Sequence, residues 1–282
     1  MALVMAATGE SAAPRRRPAM ARRARAEHGL RRALCLLVLT FVGCVSAPPT
    51  DRPASLVDQA EARRNVGIDH VLNGRIAFGI RDLRYAIGIV PDDAYSHLWL
   101  GEAYRQRRLF DDAIAETKKA IELDPDLHEA RLNLSVLYLQ MERYEDAIEQ
   151  CDVLIADATF ASPWRAATNR GWAALKLHRY DEARESFNQA LDFNIKHWPA
   201  VLNLGILAQA EGHWVESLRY YLEVLKRAPG PNAQAEANYR IAESYVRLGQ
   251  RERALDHLTK AIQLTPDGMW GRQSREYLHR LM

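Results

Sequence analysis

Cysteine is scarce in this sequence. Only Cys35, Cys44 and Cys151 occur among 282 residues, and their spacing predicts neither a disulfide framework nor a paired CxxC metal site. Cys151 falls at an inward position of a repeat described below, where a small buried hydrophobic residue is expected. Cys35 lies within an apolar run, and Cys44 comes just after that run.

The motifs that usually carry chemistry are also missing. The sequence contains no Walker-type or glycine-rich phosphate loop and no His-Glu-x-x-His pair. Its nine histidines are scattered without metal-ligand spacing. We therefore expect no enzyme activity, no catalytic residue, no metal, no cofactor and no small-molecule substrate, which leaves binding as the expected function.

Charge of one sign is not in excess once the N-terminus is set apart. The formal net charge is +2, but residues 1–43 hold eight arginines against Glu10 and Glu27. The remainder therefore has 30 basic and 34 acidic residues, a net charge of −4. A chain of this balance gives no reason to expect a nucleic-acid partner.

Long hydrophobic runs are absent as well. The run Ala33 to Val42 has ten residues, far fewer than the roughly 20 that cross a bilayer as a helix. A basic stretch at 25–32 precedes it and a small residue follows it, which predicts an export signal over 1–43. Residues 1–19 are surplus to a signal of normal length, because Met20 can begin one.

The end of this run resembles a bacterial lipobox, read as Phe41-Val42-Gly43-Cys44. The resemblance implies that Cys44 receives diacylglycerol and, with an added acyl chain such as palmitate, anchors the protein stably. An ordinary secretory signal cut near a cysteine is the alternative. Val45 favours transfer to the outer membrane, and residues 44–59, rich in proline and small polar residues, predict an extended tether.

What the sequence does have is a repeat. Small or apolar residues recur in three registers that step together at spacings of 34, 34, 36, 34 and 37. A period near 34 residues is typical of helix–turn–helix solenoids. The registers are Gly67, Gly101, Ser135, Gly171, Gly205 and Ala242; Gly79, Ala113, Ala147, Ala183, Ser217 and Ala254; and Ala86, Ala120, Leu154, Ala190, Val224 and Ala261.

The second unit, with LWLGEAYRQRRLFDDAIAETKKAIELDP at 98–125, resembles the tetratricopeptide (TPR) consensus. The resemblance implies an all-α, right-handed superhelical solenoid of six helix–turn–helix repeats. The units are expected at 60–93, 94–127, 128–161, 164–197, 198–231 and 235–268. Residues 269–282 then form a helix that caps the last unit.

Departures from the period are expected to be local. Extra residues at Ser162-Pro163 and 232–234 predict loops between units. In unit 1, His70 and Gly79 replace the usual aromatic residue and alanine, which predicts looser packing of its two helices.

In TPR proteins, ligands lie along the concave face that the first helices of the units form. Places carried over from that family predict an unusually apolar groove in this chain, suited to a helix or an extended segment. The alternative is that tighter packing covers the same residues. The predicted groove residues are Tyr95, Leu98, Glu102, Arg105, Leu132, Val136, Leu139, Trp172, Leu175, Lys176, Leu202 and Ile206.

The junction of units 3 and 4, IADATFASPWRAATNRGWAALKLHRYDEARESFNQALDFN at 155–194, is similar to the pilotin (Tgl-like) family of type IV pilus biogenesis lipoproteins. The resemblance implies an outer-membrane lipoprotein facing the periplasm that helps a secretin localise or multimerise, with a secretin segment as its partner. A periplasmic adaptor that recruits peptidoglycan enzymes and a subunit of an outer-membrane assembly machine are the alternatives.

Overall fold

The computed structural model describes residues 55–228 and 230–282, and its regular structure there is entirely helical. The predicted signal, the lipobox with Cys44 and most of the tether lie outside these residues. None of the described helices is both long and apolar enough to cross a bilayer. The helices are α1 Leu56–Leu72, α2 Ile76–Ile89, α3 Ala94–Gln106, α4 Phe110–Leu123, α5 His128–Gln140, α6 Tyr144–Ala156, α7 Pro163–Lys176, α8 Tyr180–Phe193, α9 Trp198–Ala210, α10 Trp214–Arg227, α11 Pro231–Arg247, α12 Arg251–Leu264 and α13 Met269–Leu281.

The helices pair as six antiparallel units, α1 with α2 through α11 with α12, and α13 follows. Each pair is joined by a short turn with one left-handed residue at the same place of the unit. That residue is glycine in three turns, where the conformation is free of strain, and a larger residue in the others. The six are Gly74, Arg108, Glu142, His178, Gly212 and Gly249, with φ between 59° and 80°.

The small-residue registers lie where paired helices touch. Gly171 packs against the ring of Phe187, and a Cβ on Gly171 would stand 2.6 Å from Phe187 Cε1. Ala183 and Ala190 on the partner helix are completely buried. The period read from the sequence is therefore the period of close helix–helix contact.

Unit 1 is packed as closely as the others, so the predicted looser packing is wrong. A Cβ on Gly79 would stand 2.5 Å from Val71 Cγ2 and 3.0 Å from the Gly67 carbonyl oxygen. Glycine at this place lets α2 approach α1 more closely than alanine could. Glycine in place of alanine therefore leaves no space between the two helices, because the backbones of α1 and α2 move closer together.

Two predicted boundaries shift. α1 begins at Leu56, so residues 56–59, expected as the end of the tether, are helical. A capping box starts the helix there: Ser55 Oγ accepts from the Asp58 N–H, and the Asp58 carboxylate accepts from the Ser55 N–H, both at 3.0 Å. Residues 232–234, expected as a loop, form the first turn of α11, with Pro231 at its first position.

The helices form two layers. Odd-numbered helices of neighbouring units contact each other directly from α1 through α9, whereas neighbouring even-numbered helices have no comparable contact. The array therefore curves with the odd-numbered helices on its inner side. α9 and α11 depart from this pattern and lack a comparable direct contact.

Candidate partner-binding surface

The structure divides the predicted groove residues into two groups. Six of them are buried with at most 7% of their surface exposed. They belong to the core clusters between helices, where Leu132 meets Leu154 and Phe160. A continuous exposed apolar strip was therefore the wrong expectation, and tight packing of the solenoid covers it. The buried residues are Leu98, Leu132, Val136, Leu139, Leu175 and Leu202.

The other six reach the surface and are mostly polar or aromatic. Tyr95, at the start of α3, is 44% exposed. The Arg64 guanidinium from α1 lies 5.8 Å from the centre of its ring and donates to Asp93 at 3.1 Å. These contacts tie the ring to the neighbouring unit while one side of it stays open.

Two turns further along α3, Glu102 and Arg105 form a bidentate ion pair. Arg105 Nε and Nη2 each donate to a Glu102 carboxylate oxygen at 2.7 Å, and this hydrogen bonding raises the pKa of Arg105. The charges neutralise each other. This part of the inner surface therefore offers polar groups without a net charge.

In the middle of the array, Trp172 on α7 lies between two core clusters. The Lys176 ammonium lies 5.1 Å from the centre of the indole ring. The indole nitrogen is buried without a hydrogen-bond partner. Ile206 on α9 is half-buried and packs on the second of these clusters and on the one that follows it. Together these three side chains are the aromatic, cationic and apolar components of the inner surface.

A buried polar network at the junction of units 5 and 6 was not predicted. Tyr221 donates to Gln209 Oε1 at 2.8 Å, and Gln209 Nε2 donates to Ser244 Oγ at 2.9 Å. Ser217 and Ser244 share a hydrogen bond of 2.8 Å. These side chains connect α9, α10 and α11 at the junction where the backbones of α9 and α11 are not closely packed. In the sequence, only the spacing of 37 residues between Gly205 and Ala242 marks this junction.

Arg240 and Glu236 extend this network to the inner surface. Glu236 is 2% exposed and accepts from Arg240 Nη2 at 2.9 Å. The guanidinium also lies 5.4 Å from the ring centre of Trp270 on the capping helix. Burial raises the pKa of Glu236 and of Glu243. Arg240 and Glu236 therefore pair with each other inside the protein, and Arg240 also contacts the capping helix.

Cys151 has the inward role predicted for it. It is completely buried, and burial raises the pKa of its thiol to about 12. The thiol therefore stays protonated at neutral pH, which is unsuited to nucleophilic chemistry. The described residues contain no cluster of histidine, cysteine and acidic side chains that could hold a metal ion.

Asn169 also has a structural role. Its Nδ2 donates to Ser135 Oγ at 3.1 Å, between α7 and α5, and the side chain is 2% exposed. This hydrogen bond joins units 3 and 4.

A separate cavity of about 750 Å³ lies on the outer layer, against α10 and the end of α11. Trp214, Val215 and Leu248 line it, and Arg247 lies 5.6 Å from the ring centre of Trp214. The sequence does not predict this cavity, because the repeat equates Trp214 with half-buried residues of other units, Ile76, Phe110, Tyr144 and Tyr180.

Sequence comparison agrees with this architecture. Four family models described as tetratricopeptide repeat match residues 67–128, 105–170, 164–197 and 199–267. The chain belongs to the tetratricopeptide repeat family. TPR arrays are protein-binding scaffolds, and solenoids of this kind present extended concave surfaces to their partners.

Two kinds of characterised TPR protein are similar in sequence. The type IV pilus assembly protein PilF of Pseudomonas aeruginosa is 23% identical over 203 residues, which are 71% of this chain and 80% of PilF. The Hsp70-Hsp90 organizing protein of Triticum aestivum is 26% identical over 201 residues. That match takes 59% of this chain, which spans only about a third of the length of the wheat protein.

Solved structures show the same fold. PilF of Pseudomonas aeruginosa superposes with a TM-score of 0.63 at 20% identity, covering 79% of this chain and 99% of PilF. PilW, a type IV pilus biogenesis factor, superposes with a TM-score of 0.68 at 17% identity, covering 76% of this chain and 97% of PilW.

Proposed function

We propose that this TPR protein is an outer-membrane lipoprotein of the periplasm that assists a type IV pilus secretin to localise or multimerise. The observation that carries the proposal is the extent of the likeness to PilF and PilW. Almost the whole of both solved chains is covered, at 99% and 97%. By contrast, the match to the organizing protein covers 34% of that protein, as one TPR array within a longer chain would.

The anchor in this proposal is Cys44. Acylation of its thiol would place the solenoid at the membrane in which a secretin multimer assembles. Two hydrophobic chains or more on one residue give stable attachment, whereas a single chain gives only marginal binding. The scaffold itself then needs no membrane-spanning element.

Binding of the secretin would use the exposed part of the inner surface. Tyr95 offers an open aromatic face, and Lys176 on Trp172 offers a cation beside an indole. Aromatic side chains that are rigidly held are favourable contact points for a partner segment. A secretin segment with acidic and apolar residues fits these groups.

The experiment is complementation of a deletion strain, with secretin multimers measured by immunoblot. The double variant Tyr95→Ala/Lys176→Glu is expected to lower the multimer fraction at least about tenfold, because it removes two central contacts with the partner. Cys44→Ser is expected to lower multimers as well, with the protein lost from the outer-membrane fraction. Phe193→Ala is the matched control, because Phe193 is also 44% exposed but lies at the end of α8 in the outer layer.

Multimers that stay at the wild-type level in the deletion strain would contradict the proposal. Normal multimers together with altered cell-wall enzyme recruitment would support the peptidoglycan adaptor instead. General loss of outer-membrane proteins would support the assembly-machine alternative.

A further inference from the structure

The outward face of unit 1 differs from that of every other unit. Phe78 and Tyr85 lie seven residues apart on the same face of α2, and they are 52% and 51% exposed. At the same two places, the other five units have polar or charged residues in nine of ten cases. Those residues are Asp112, Lys119, Asp146, Val153, Glu182, Gln189, Glu216, Glu223, Arg253 and Lys260.

Basic side chains surround these two rings. The Arg81 guanidinium lies 5.3 Å from the centre of the Phe78 ring, and the Arg63 guanidinium lies 5.3 Å from that of Tyr85. The His70 ring is 5.7 Å from Phe78. Val66, 44% exposed, lies between Arg63 and His70 on the same side of α1. Aromatic, basic and aliphatic groups thus form one continuous surface.

The two arginines of this surface share one carboxylate. It belongs to Asp82, which is 2% exposed and lies beneath the cationic groups. Arg63 and Arg81 donate to it at 3.3 and 3.2 Å, and His70 Nδ1 lies 3.0 Å from its second oxygen. Two guanidinium groups on one carboxylate leave an excess of one positive charge, and both arginines remain more than half exposed.

The chain brings this surface close to the anchor that the proposed function assigns. Ten residues, 45–54, separate Cys44 from Ser55, the residue that caps α1. Even fully extended, they reach about 35 Å. The start of unit 1 therefore stays within about 35 Å of the bilayer whenever Cys44 is acylated.

We propose that the Phe78–Tyr85 surface, with Arg63, Arg81 and Val66, docks on the headgroup layer of an anionic bilayer. Aromatic rings favour the interface between headgroups and acyl chains, and exposed arginines are attracted to anionic lipids. Docking would orient the solenoid, so that the inner surface faces along the membrane rather than turning freely on its tether. The inference rests on the acylation of Cys44 in the proposed function.

The test uses the processed, acylated protein reconstituted in vesicles. A bimane label is placed by Val66→Cys or, as a control of equal exposure, by Val153→Cys; Val153 is 47% exposed on α6. Buried Cys151 remains unlabelled in the folded protein. A nitroxide on the lipid headgroups then quenches a label that lies at the surface.

Quenching at residue 66 is expected to exceed that at residue 153 at least about threefold in vesicles with phosphatidylglycerol. It should fall to the control level with Phe78→Ser/Tyr85→Ser, and in purely zwitterionic vesicles. The pair Val215→Ser/Leu222→Ser, exposed apolar residues of α10, should leave it unchanged. Circular dichroism confirms that each variant is folded.

Equal quenching at both labels would overturn the inference. So would quenching at residue 66 that persists in the Phe78→Ser/Tyr85→Ser variant, because the tether alone would then explain it. Protection of α2 from hydrogen exchange by a protein partner, with no quenching, would assign the surface to that partner and also overturn it. A mass spectrum without acyl chains on Cys44, or protein that does not float with the vesicles, would instead refute the anchor and thereby the proposed function.

Discussion

Individual glycines differ sharply in what they contribute, although the sequence shows them all alike. Gly171→Ala places a methyl group 2.6 Å from Phe187 Cε1, so a ring or a helix must move. We expect a loss of about 1–3 kcal/mol in the free energy of unfolding, measured by urea denaturation.

Gly88→Ala on α2 is the matched control, because a Cβ there meets nothing within 4 Å. It is expected to be neutral or to stabilise by up to about 1 kcal/mol, through lower entropy of the unfolded chain. Equal losses in the two variants would mean that the helices do not pack as closely as described.

His197, at the start of α9, is expected to make the protein less stable in mild acid. Burial, with the nearby charge of Arg165, lowers its pKa from 6.5 to about 4. The unfolded chain therefore binds the proton more readily than the folded chain does. The stability that neutral His197 contributes is full above pH 6.5 and is lost as the pH falls towards 4.

The free energy of unfolding at pH 7 and at pH 5 measures this effect. The wild type should lose up to about 2 kcal/mol more between these values than His197→Gln does, after allowance for partial exposure. Glu236 and Glu243, whose pKa values are raised by burial, act with the opposite sign in both proteins and cancel in the comparison. His213→Gln, at an exposed histidine, is the control; an identical slope in wild type and His197→Gln would contradict the assignment.

For individual residues, the sequence predicts which side chains pack between helices better than it predicts which side chains are exposed. The places of Gly171, Ala183 and Ala190 follow from the period, because close helix contact requires small side chains wherever it recurs. The groove residues Leu132 and Val136 were expected on the surface because the family places them there. Whether they are exposed depends on how closely successive units stack, and periodicity does not contain that spacing.

Among the elements, α9, α10 and α11 form the most distinctive junction, that of units 5 and 6. The extra first turn of α11 takes up residues 232–234, and the network from Tyr221 to Ser244 connects the units there. The sequence marks the irregular spacing but not its form. A loop and a helical extension would both lengthen the spacing between units. Pro231 favours the helical extension only when the preceding chain places it as the first residue of the helix.

The capping helix α13 is expected to stabilise unit 6. Tyr277, Leu278 and Leu281 pack on the cluster of Ala242, Ala254 and Leu258. Ending the chain after Gly268 should lower the free energy of unfolding by about 3 kcal/mol, at about 1 kcal/mol for each half-buried side chain. The thermal unfolding midpoint should fall accordingly.

Removal of Met282 alone is the control for this truncation, because Met282 is 83% exposed. The shorter deletion should leave the unfolding midpoint unchanged. If the truncated protein melted at the wild-type temperature, α13 would have no stabilising role and Tyr239 would not need Trp270, whose ring centre lies 5.3 Å away.

At the scale of the whole molecule, the six units and the cap follow from the sequence, because each repeat buries its apolar face only against its neighbours. The direction in which the array faces its surroundings does not follow. It depends on the inner surface at Tyr95 and Lys176, on the outer cavity at Trp214 and on the Phe78–Tyr85 surface of unit 1. The period treats the places of these residues as equivalent to those in other units, so it does not show which of them are exposed in the folded chain.

The proposed function requires that the inner surface, at Tyr95, contacts the secretin in the cell. Site-specific photo-crosslinking in living cells tests it most directly, with a photoreactive residue replacing either Tyr95 or Phe193, which are equally exposed on opposite layers. We expect a secretin adduct from position 95 and none from position 193. Adducts of equal yield from both positions, or an adduct from position 95 that contains only another protein, would contradict it.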